Sequence, residues 1–188
     1  MTRVVLAMTG ASGAAIGLRS AELLHALPDV EIHLVLSQAA ERTLAHEVGP
    51  DAAVRLRALA DVVHPVDDIG ASIASGSFGS TGMLVAPCSM HSLAAIASGI
   101  ADNLIVRAAD VHLKERRRLV LMARETPLHL GHLRNMVAVT EMGAVVMPPV
   151  PAFYHRPANV ADIVNQLAAR AIDLLGLPHA PLAREWQG

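Results

Sequence analysis

Short apolar runs alternate with helix-like stretches along the whole chain. Most of these runs lack the apolar–polar alternation of half-exposed strands, which is typical of strands that are buried on both faces of a parallel sheet. They predict six strands, at Arg3–Met8, Glu31–Leu36, Asp61–Pro65, Met83–Pro87, Leu119–Met122 and Ala144–Met147.

Between the strands, apolar residues recur at helical spacing. They predict helices at Ala14–Leu27, Ser37–Glu47, Leu104–Arg116, Leu130–Thr140 and Val160–Leu175. Asp51 is placed to cap a short helix that reaches Leu59, Ser89 to cap the helix after the fourth strand, and Asn103 to cap the next. This alternation predicts one α/β domain over residues 1–188, with a parallel sheet between two helix layers. The Gly- and Ser-rich stretch from Asp67 to Gly82 is predicted to be a mobile loop.

Composition narrows the functional classes. Hydrophobic residues make up 53% of the 188 residues and aromatic residues only 2%, so we expect part of the apolar surface to be buried between subunits. A net charge of −2 gives no reason to expect nucleic acid. No apolar run is long enough for a membrane span, and no signal peptide is expected. The one cysteine, Cys88, cannot form an internal disulfide, which fits a cytoplasmic protein.

The turn Gly10–Gly13 lies between the first strand and the first helix. Small residues there let backbone N–H groups approach a ligand at a helix N-terminus, where the partial positive charge favours an anion. Two interpretations stay open, a phosphate contact and a simple tight turn. Ser12 adds a hydroxyl, which either caps the helix or contacts the ligand.

Ligands of open parallel sheets bind outside the carboxyl ends of the strands. That rule selects Gly10–Gly13, Ser37, Pro87–His91, Arg124–Glu125 and Pro148–Tyr154. In the third of these segments, backbone N–H groups at a helix start are suited to a ring or a second anion. Cys88 is expected to be a small buried hydrophobe and His91 a polar helix-start residue, and the ten histidines show no metal-binding pattern.

Several cations stand beside apolar residues and need anionic partners. Arg107, Asp110 and Lys114 share one helix face, so the two cations either form ion pairs or hold a ligand phosphate. Arg124 and Glu125 form either a salt bridge that closes a loop or a phosphate clamp beside a general acid. With Arg170, these cations predict two phosphates, or one phosphate and internal salt bridges.

Seven motifs along the chain resemble the flavin prenyltransferase family, the UbiX-like group that includes small subunits of phenolic-acid decarboxylase systems. They are Met-Thr-Gly-Ala-Ser-Gly at 8–13, Leu-Ser-Gln-Ala-Ala at 36–40, Ala-Ser-Gly-Ser-Phe at 74–78, Pro-Cys-Ser-Met at 87–90, Arg-Ala-Ala-Asp-Val-His-Leu-Lys-Glu-Arg at 107–116, Arg-Glu-Thr-Pro-Leu at 124–128 and Pro-Pro-Val-Pro-Ala-Phe-Tyr-His-Arg-Pro at 148–157. The resemblance implies a flavodoxin- or Rossmann-like fold and a homododecamer with sites between subunits.

The resemblance also implies an activity. The family joins the dimethylallyl group of dimethylallyl phosphate to N5 and C6 of reduced FMN, needs no metal, and supplies prenylated FMN to a UbiD-type decarboxylase. The residues matching its FMN contacts are Gly10, Ala11, Ser12, Ser37, Cys88, Ser89, Met90, His91 and Arg124. Those matching its substrate contacts are Arg107, Lys114, Arg124, Tyr154, Arg170 and, as a cover, Trp186. The catalytic candidates are Glu125, Ser12, Lys114 and Glu47.

Two other functions remain open at this point. One is a flavin-dependent decarboxylase of the peptidyl-cysteine or pantothenoylcysteine type, which shares the fold but carries Pro-Ala-Ser-Ala-Asn where this chain has Pro-Cys-Ser-Met-His. The other is a non-catalytic FMN-binding subunit. The presence of Glu125, Lys114, Tyr154 and Arg170 disfavours it, because storage of FMN needs no second anion site.

Overall fold

The computed structural model describes residues 1–186 and contains one six-stranded parallel sheet. The strands are β1 (Thr2–Met8), β2 (Val30–Leu36), β3 (Val62–His64), β4 (Gly82–Cys88), β5 (Arg118–Ala123) and β6 (Val145–Val146). Their spatial order is β3-β2-β1-β4-β5-β6, the order of doubly wound dinucleotide-binding folds. Strands β2 and β3 are added on one side of β1, whereas β4, β5 and β6 are added on the other. The crevice between β1 and β4, where the order switches, is therefore the expected ligand position.

Helices cover both faces of the sheet. They are α1 (Ala14–His25), α2 (Gln38–Glu47), α3 (Ala52–Ala58), α4 (Met90–Ser98), α5 (Leu104–Lys114), α6 (Leu130–Glu141) and α7 (Val160–Asp173). Because side chains alternate across a strand, β1 sends Leu6 into the core beneath α1, α2, α3 and α7, and Val5 into the core beneath α4, α5 and α6. The predicted three-layer α/β fold is confirmed.

The predicted and observed helix termini agree to within two residues, and the differences lie mostly at the C-terminal ends. Helix α5 stops at Lys114 rather than Arg116, because Arg116 has a φ of +57°. Helix α7 stops at Asp173 rather than Leu175, just before Gly176 at +67°. Asp51 does stand at the N-cap of α3, but its side chain makes no capping hydrogen bond, so the predicted capping role is wrong.

The segment predicted to be a mobile loop is fastened at several points. Ile73 lies in the core, and Arg117 donates hydrogen bonds to the carbonyls of Gly76 and Phe78, both at 2.6 Å. Ser80 lies 2.9 Å from Nε2 of the buried His112. Residues 67–70 are exposed, and their mobility stays a prediction.

Helix α6 carries an uncovered apolar face. Leu130, Leu133 and Val137 recur at helical spacing and are exposed, whereas Val139 is the residue of α6 that reaches the core. Within residues 1–186 no helix is both long and apolar enough to cross a bilayer. An exposed stripe of this kind marks a contact surface for another protein surface.

Candidate functional site

Backbone hydrogen bonds join the loops that leave the carboxyl ends of the central strands. The N–H of Ser37 donates to the carbonyl of Met8 at 3.1 Å, and that of Thr9 to Pro87 at 3.2 Å. The N–H of Arg124 donates to the carbonyl of Cys88 at 3.1 Å. The sequence-predicted segments after β2, β1, β4 and β5 therefore form one continuous edge.

Thr9 fastens the centre of this edge, and the sequence analysis did not single it out. Its buried hydroxyl donates to the carbonyl of Pro87 at 2.9 Å and accepts the N–H of Ser89 at 2.7 Å. It thus fixes the start of α4 relative to β1. The sequence signal for this role of Thr9 is a polar residue directly after the apolar run that forms β1.

Three helix N-termini meet at a cavity of about 330 Å³ beside Thr9, here called the N-cap cavity. The capping residues of α2, α4 and α5 all line it, namely Ser37, Ser89 and Asn103. Each cap accepts one backbone N–H, from Ala40 at 3.1 Å, Ser92 at 3.3 Å and Val106 at 3.1 Å. The caps leave other first-turn N–H groups of these helices, such as those of Met90 and His91, as donors for a ligand.

The N-cap cavity is suited to a phosphate. Each helix contributes roughly half a positive charge at its N-terminus, and the three charges point at one volume. His91, which is exposed, also lines this cavity, as does Ser92. The predicted FMN-contact residues Ser37, Ser89 and His91 are thus brought together, and Asn103, predicted only as a helix cap, joins them.

The N-terminus of α1 already has an anion. The carboxylate of Glu47 accepts the N–H groups of Gly13 and Ala14 at 2.9 and 2.8 Å. A carboxylate of the protein itself thus occupies this helix end, whereas Gly10 of the same turn lines the N-cap cavity, so contact of the turn with a ligand stays a prediction. The turn also packs tightly on α2, since a Cβ on Gly10 would lie 2.4 Å from that of Ala39.

Ser12, Glu47 and Arg124 form one polar group beside this turn. Burial acts to raise the pKa of Glu47, but hydrogen bonds from Ser12, Gly13 and Ala14, and the nearby charge of Arg124, hold it below its ordinary value. Glu47 is therefore ionised at neutral pH. Since Gly13 is the N-cap of α1 and makes no side-chain cap, the alternative role of Ser12 as a helix cap is wrong.

Cys88 is a buried hydrophobe, as predicted. Burial raises the pKa of its thiol to about 12, so the nucleophilic thiolate is not formed near neutral pH. Its carbonyl, not its sulfur, faces the neighbouring loop through the bond from Arg124. Cys88 contributes to the site through its backbone.

Arg124 and Glu125 do not pair with each other in the described chain, which removes the interpretation of a loop-closing salt bridge. Arg124 is half-buried and acts on Glu47, as described above. Glu125 is exposed, and its carboxylate accepts the N–H of Thr126 at 3.0 Å. An exposed carboxylate beside a guanidinium is free to meet a ligand.

A second and larger cavity, of about 710 Å³, lies between the proline-rich loop, α7 and the C-terminal segment. We call it the Tyr154 cavity. Tyr154, Arg170 and Trp186 all line it, so three predicted substrate contacts come together. The rings of Tyr154 and Trp186 meet edge to face with centroids 5.0 Å apart. Arg170 and Arg184 are the guanidinium groups that an anionic ligand would meet in this cavity, which Asp162, Asp173 and Glu185 also line.

Arg107 and Lys114 lie elsewhere. Arg107 donates to Asp110 at 2.7 Å, and Lys114 is bonded to the carboxylate of Glu115, as the ion-pair interpretation expected. Lys114 ends α5 just before β5 begins, whereas Arg124 follows the end of β5. A strand of that length separates them by about 20 Å. One chain therefore does not gather the four cations around a single ligand.

Among residues 1–186 no group of three or more histidine, cysteine, aspartate or glutamate side chains could hold a metal ion. His129 and His132 stack on each other with ring centroids 3.5 Å apart. The site described above consists of backbone dipoles, hydroxyls, carboxylates and cations.

Comparison with known proteins places this arrangement in a family. The flavoprotein family model matches residues 1–171. The flavin prenyltransferase UbiX of Neisseria meningitidis serogroup B is 56% identical over 186 residues, which cover 99% of this chain and 97% of that protein. The crystal structure of a dodecameric FMN-dependent UbiX-like decarboxylase from Escherichia coli O157:H7 has a TM-score of 0.94 and 49% identity, with both chains covered completely.

A second solved structure is that of AnUbiX (PadA1) in complex with FMN and dimethylallyl pyrophosphate. It has a TM-score of 0.94 and 51% identity, and covers 100% of this chain and 98% of its own. The 56% identity to a flavin prenyltransferase over nearly the whole chain favours that family over the two alternative functions left open by the sequence. The chain belongs to the flavoprotein family and, within it, to the UbiX-like flavin prenyltransferases.

Proposed function

We propose that this protein transfers the dimethylallyl group from dimethylallyl phosphate to N5 and C6 of reduced FMN. One observation carries the proposal. The switch point of the sheet presents a phosphate cavity built from three helix N-termini, and a separate cavity lined by Arg170 provides for a second anion. A reaction between a flavin phosphate and an allylic phosphate needs both.

The N-cap cavity fits the phosphate of FMN, because its donors are fixed and carry no counter-charge of their own. Ser37, Ser89 and His91 would hold that phosphate, and Gly10, Ala11, Ser12, Met90 and Arg124 would contact the rest of the flavin. When bound, reduced FMN supplies the electron-rich N5 and C6 atoms. Every other task falls to side chains of the protein.

The protein must neutralise the phosphate that leaves the allylic carbon. Arg124 and Arg170 would bind its oxygens, since charge-assisted hydrogen bonds are strongest where negative charge develops. Glu125 would donate a proton to the departing phosphate, because its exposed carboxyl lies beside Arg124 in sequence. Tyr154 and Trp186 would shield the reacting carbon from water.

Ser12 and Glu47 are suited to move a proton from the flavin side. Ser12 is among the groups that hold the pKa of Glu47 below its ordinary value, so its hydroxyl would accept a proton from the ligand while passing its own to Glu47. The lowered pKa of Glu47 makes it a weak base, which suits a transient rather than a permanent proton acceptor. Glu47 is held in place without the ligand, because it accepts the N–H groups of Gly13 and Ala14 at the N-terminus of α1.

Lys114 would enter the site from a second copy of the chain, because it lies about 20 Å from Arg124 within one chain. The exposed apolar face of α6 supports such an association. Arg107 stands one turn beyond Asn103, the N-cap of α5, and would contact the substrate from there. We propose a homododecamer, the state that the structure from Escherichia coli O157:H7 names. We also propose that the protein is cytoplasmic, that residues 1–188 form one domain, and that a UbiD-type decarboxylase receives the prenylated FMN.

The test is anaerobic turnover of the purified protein with reduced FMN and dimethylallyl phosphate, followed by mass spectrometry of the extracted flavin. We expect the flavin to gain the mass of one prenyl unit. A parallel reaction with dimethylallyl pyrophosphate measures which donor is preferred. The matched variant is Glu125→Gln, which should bind FMN normally and lose most prenylation, about 100-fold, because the proton donor is removed.

An FMN of unchanged mass, bound to the wild-type protein under turnover conditions, would refute the transferase. Wild-type rates in Glu125→Gln would remove Glu125 from the mechanism. Release of carbon dioxide from a cysteine-terminated peptide would support the flavin-dependent decarboxylase instead.

A further inference from the structure

Four hydrogen bonds fasten the C-terminal segment 182–186 to α7. The two carboxylate oxygens of Asp173 accept the N–H groups of Leu182 and Ala183, at 2.9 and 3.0 Å. The side-chain amide of Gln166 accepts the N–H of Arg184 at 3.0 Å and donates to its carbonyl at 3.1 Å. All four bonds come from only two side chains.

The geometry of these bonds fixes the path of the segment. Gln166 pairs with both backbone groups of Arg184, as a neighbouring strand would, and so sets the direction of the chain two residues before Trp186. Gln166 and Asp173 are seven residues apart on α7, so they lie on one face, about 10 Å from each other. The segment therefore runs along α7 toward the N-terminus of that helix.

The same amide also reaches the loop that carries Tyr154. Nε2 of Gln166 lies 3.3 Å from Nε2 of His155, and Arg184 donates to the carbonyl of His155 at 3.5 Å. Gln166 thus contacts His155, the neighbour of Tyr154, and Arg184, two residues before Trp186.

Burial in the single chain does not hold this aromatic pair together. Tyr154 is 57% exposed and Trp186 is 65% exposed. An edge-to-face pair contributes only about 1 kcal/mol. The polar contacts of Gln166 and Asp173 are therefore the main restraint on where Trp186 stands.

We propose that Gln166 and Asp173 are positioning residues for the reaction, which hold the C-terminal segment so that Trp186 and Tyr154 form one wall of the Tyr154 cavity. The inference rests on the proposed function, because it takes that cavity as the site of the allylic substrate. Both residues line that cavity, and the role assigned to them is to hold the C-terminal segment.

The wall formed by Tyr154 and Trp186 controls whether the allylic carbon reacts with the flavin or with water. The bond from that carbon to the phosphate oxygen breaks, and the electron pair leaves with the phosphate. The carbon then forms a bond to the flavin, or to a water that loses a proton and yields an alcohol. A loosened wall admits water, so more phosphate is released for each flavin prenylated.

Docking is measured without any turnover, because Trp186 is the one tryptophan of the chain. In the full-length protein with FMN, we expect Gln166→Ala to shift its emission to longer wavelength and to raise acrylamide quenching about 1.5-fold, as the ring leaves Tyr154. Gln166→Glu keeps the acceptor for the N–H of Arg184, so its emission and quenching should lie between those of the wild type and Gln166→Ala. Asp173→Ala tests the other fastening point.

The matched control is Arg19→Ala, which removes a 2.9 Å hydrogen bond to Asn165 on the same helix but none to the C-terminal segment. It should leave the emission of Trp186 unchanged. Emission and quenching in Gln166→Ala and Asp173→Ala that equal those of the wild type would overturn the docking role.

The second readout is the ratio of phosphate released to flavin prenylated. The wild type should give about one, and Gln166→Ala about three or more, with a raised KM for dimethylallyl phosphate and unchanged FMN affinity. A ratio that stays at one while the tryptophan signal changes would overturn the role in the reaction. A wild type that prenylates no flavin would refute the proposed function, whereas the fluorescence result would still decide the docking.

Discussion

The two cavities of the site are built by different means. The N-cap cavity takes its positive charge from helix ends that the fold itself fixes, with short capping side chains at Ser37, Ser89 and Asn103. The Tyr154 cavity is lined by the long side chains of Arg170 and Arg184, with carboxylates among its other lining residues, and its wall comes from a loop and a terminal segment. Because the two cavities share no lining residue, they should respond separately to mutation.

Arg170→Ala gives the largest separation of the two cavities. Loss of the guanidinium leaves the substrate phosphate without a bidentate partner, so we expect the prenylation rate at low substrate to fall about 100-fold. FMN affinity should stay within two-fold of the wild type, because the N-cap cavity is untouched. Stopped-assay mass spectrometry and flavin titration measure the two quantities.

Arg170→Lys is the control for charge alone, and it should recover part of the rate, since lysine binds phosphate as a point charge. Equal losses of prenylation and FMN affinity in Arg170→Ala would mean that the two cavities act as one site.

Ser89→Ala tests the N-cap cavity, and we expect it to change FMN affinity less than Arg170→Ala changes the prenylation rate. Removal of an N-cap costs about 1 kcal/mol and loosens the first turn of α4, so FMN affinity should fall about five-fold. Once FMN is saturating, the rate of prenylation should be close to normal. Flavin titration by fluorescence gives the affinity.

Asn159→Ala is the matched cap deletion, because Asn159 caps α7 through a 2.9 Å bond to the N–H of Asp162. It should lower thermal stability by a similar amount and leave FMN affinity unchanged. If both deletions weaken FMN equally, the effect of Ser89 comes from general loosening of the fold.

Glu47→Gln should have the smallest effect on folding stability, and it contrasts α1 with the three helices of the N-cap cavity. The helix loses its internal anion, so the free energy of unfolding at pH 7 should fall by about 0.5 kcal/mol. Because the folded-state pKa of Glu47 is lowered, its contribution is present above the unfolded value and is lost as pH falls through the folded value. Urea unfolding at pH 7 and pH 4 should show the gap between variant and wild type closing, and a gap that widens would contradict this account.

The sequence predicted the sheet and the positions of the residues that cap helices around the N-cap cavity, for local reasons. Uninterrupted apolar runs such as Leu6 and its neighbours require burial on both faces, and Ser37, Ser89 and Asn103 each satisfy N–H groups within three residues. Pairings between distant residues left no such trace. Glu47 lies 33 residues beyond Ala14, whose N–H it accepts, and nothing in either segment indicates the other.

The Tyr154 cavity was predictable only in part. Family motifs pointed to Tyr154 and Arg170, but Gln166 and Arg184 pair through an amide and a backbone, which any sequence offers at many positions. In the proposed assembly the place of Lys114 depends on a second copy of the chain, and a subunit surface cannot be located from the order of residues alone.

The carboxylate at the start of α1 also bears on which nucleotides the fold accepts. In doubly wound sheets that bind dinucleotides, the pyrophosphate rests on the N-terminus of the helix after the first strand. Here Glu47 holds that place. A dinucleotide would bring its two phosphates against a fixed negative charge, whereas a mononucleotide can send its single phosphate to the neighbouring helices. The position of Glu47 thus disfavours a dinucleotide at this helix end, although the strand order is the one of dinucleotide-binding folds.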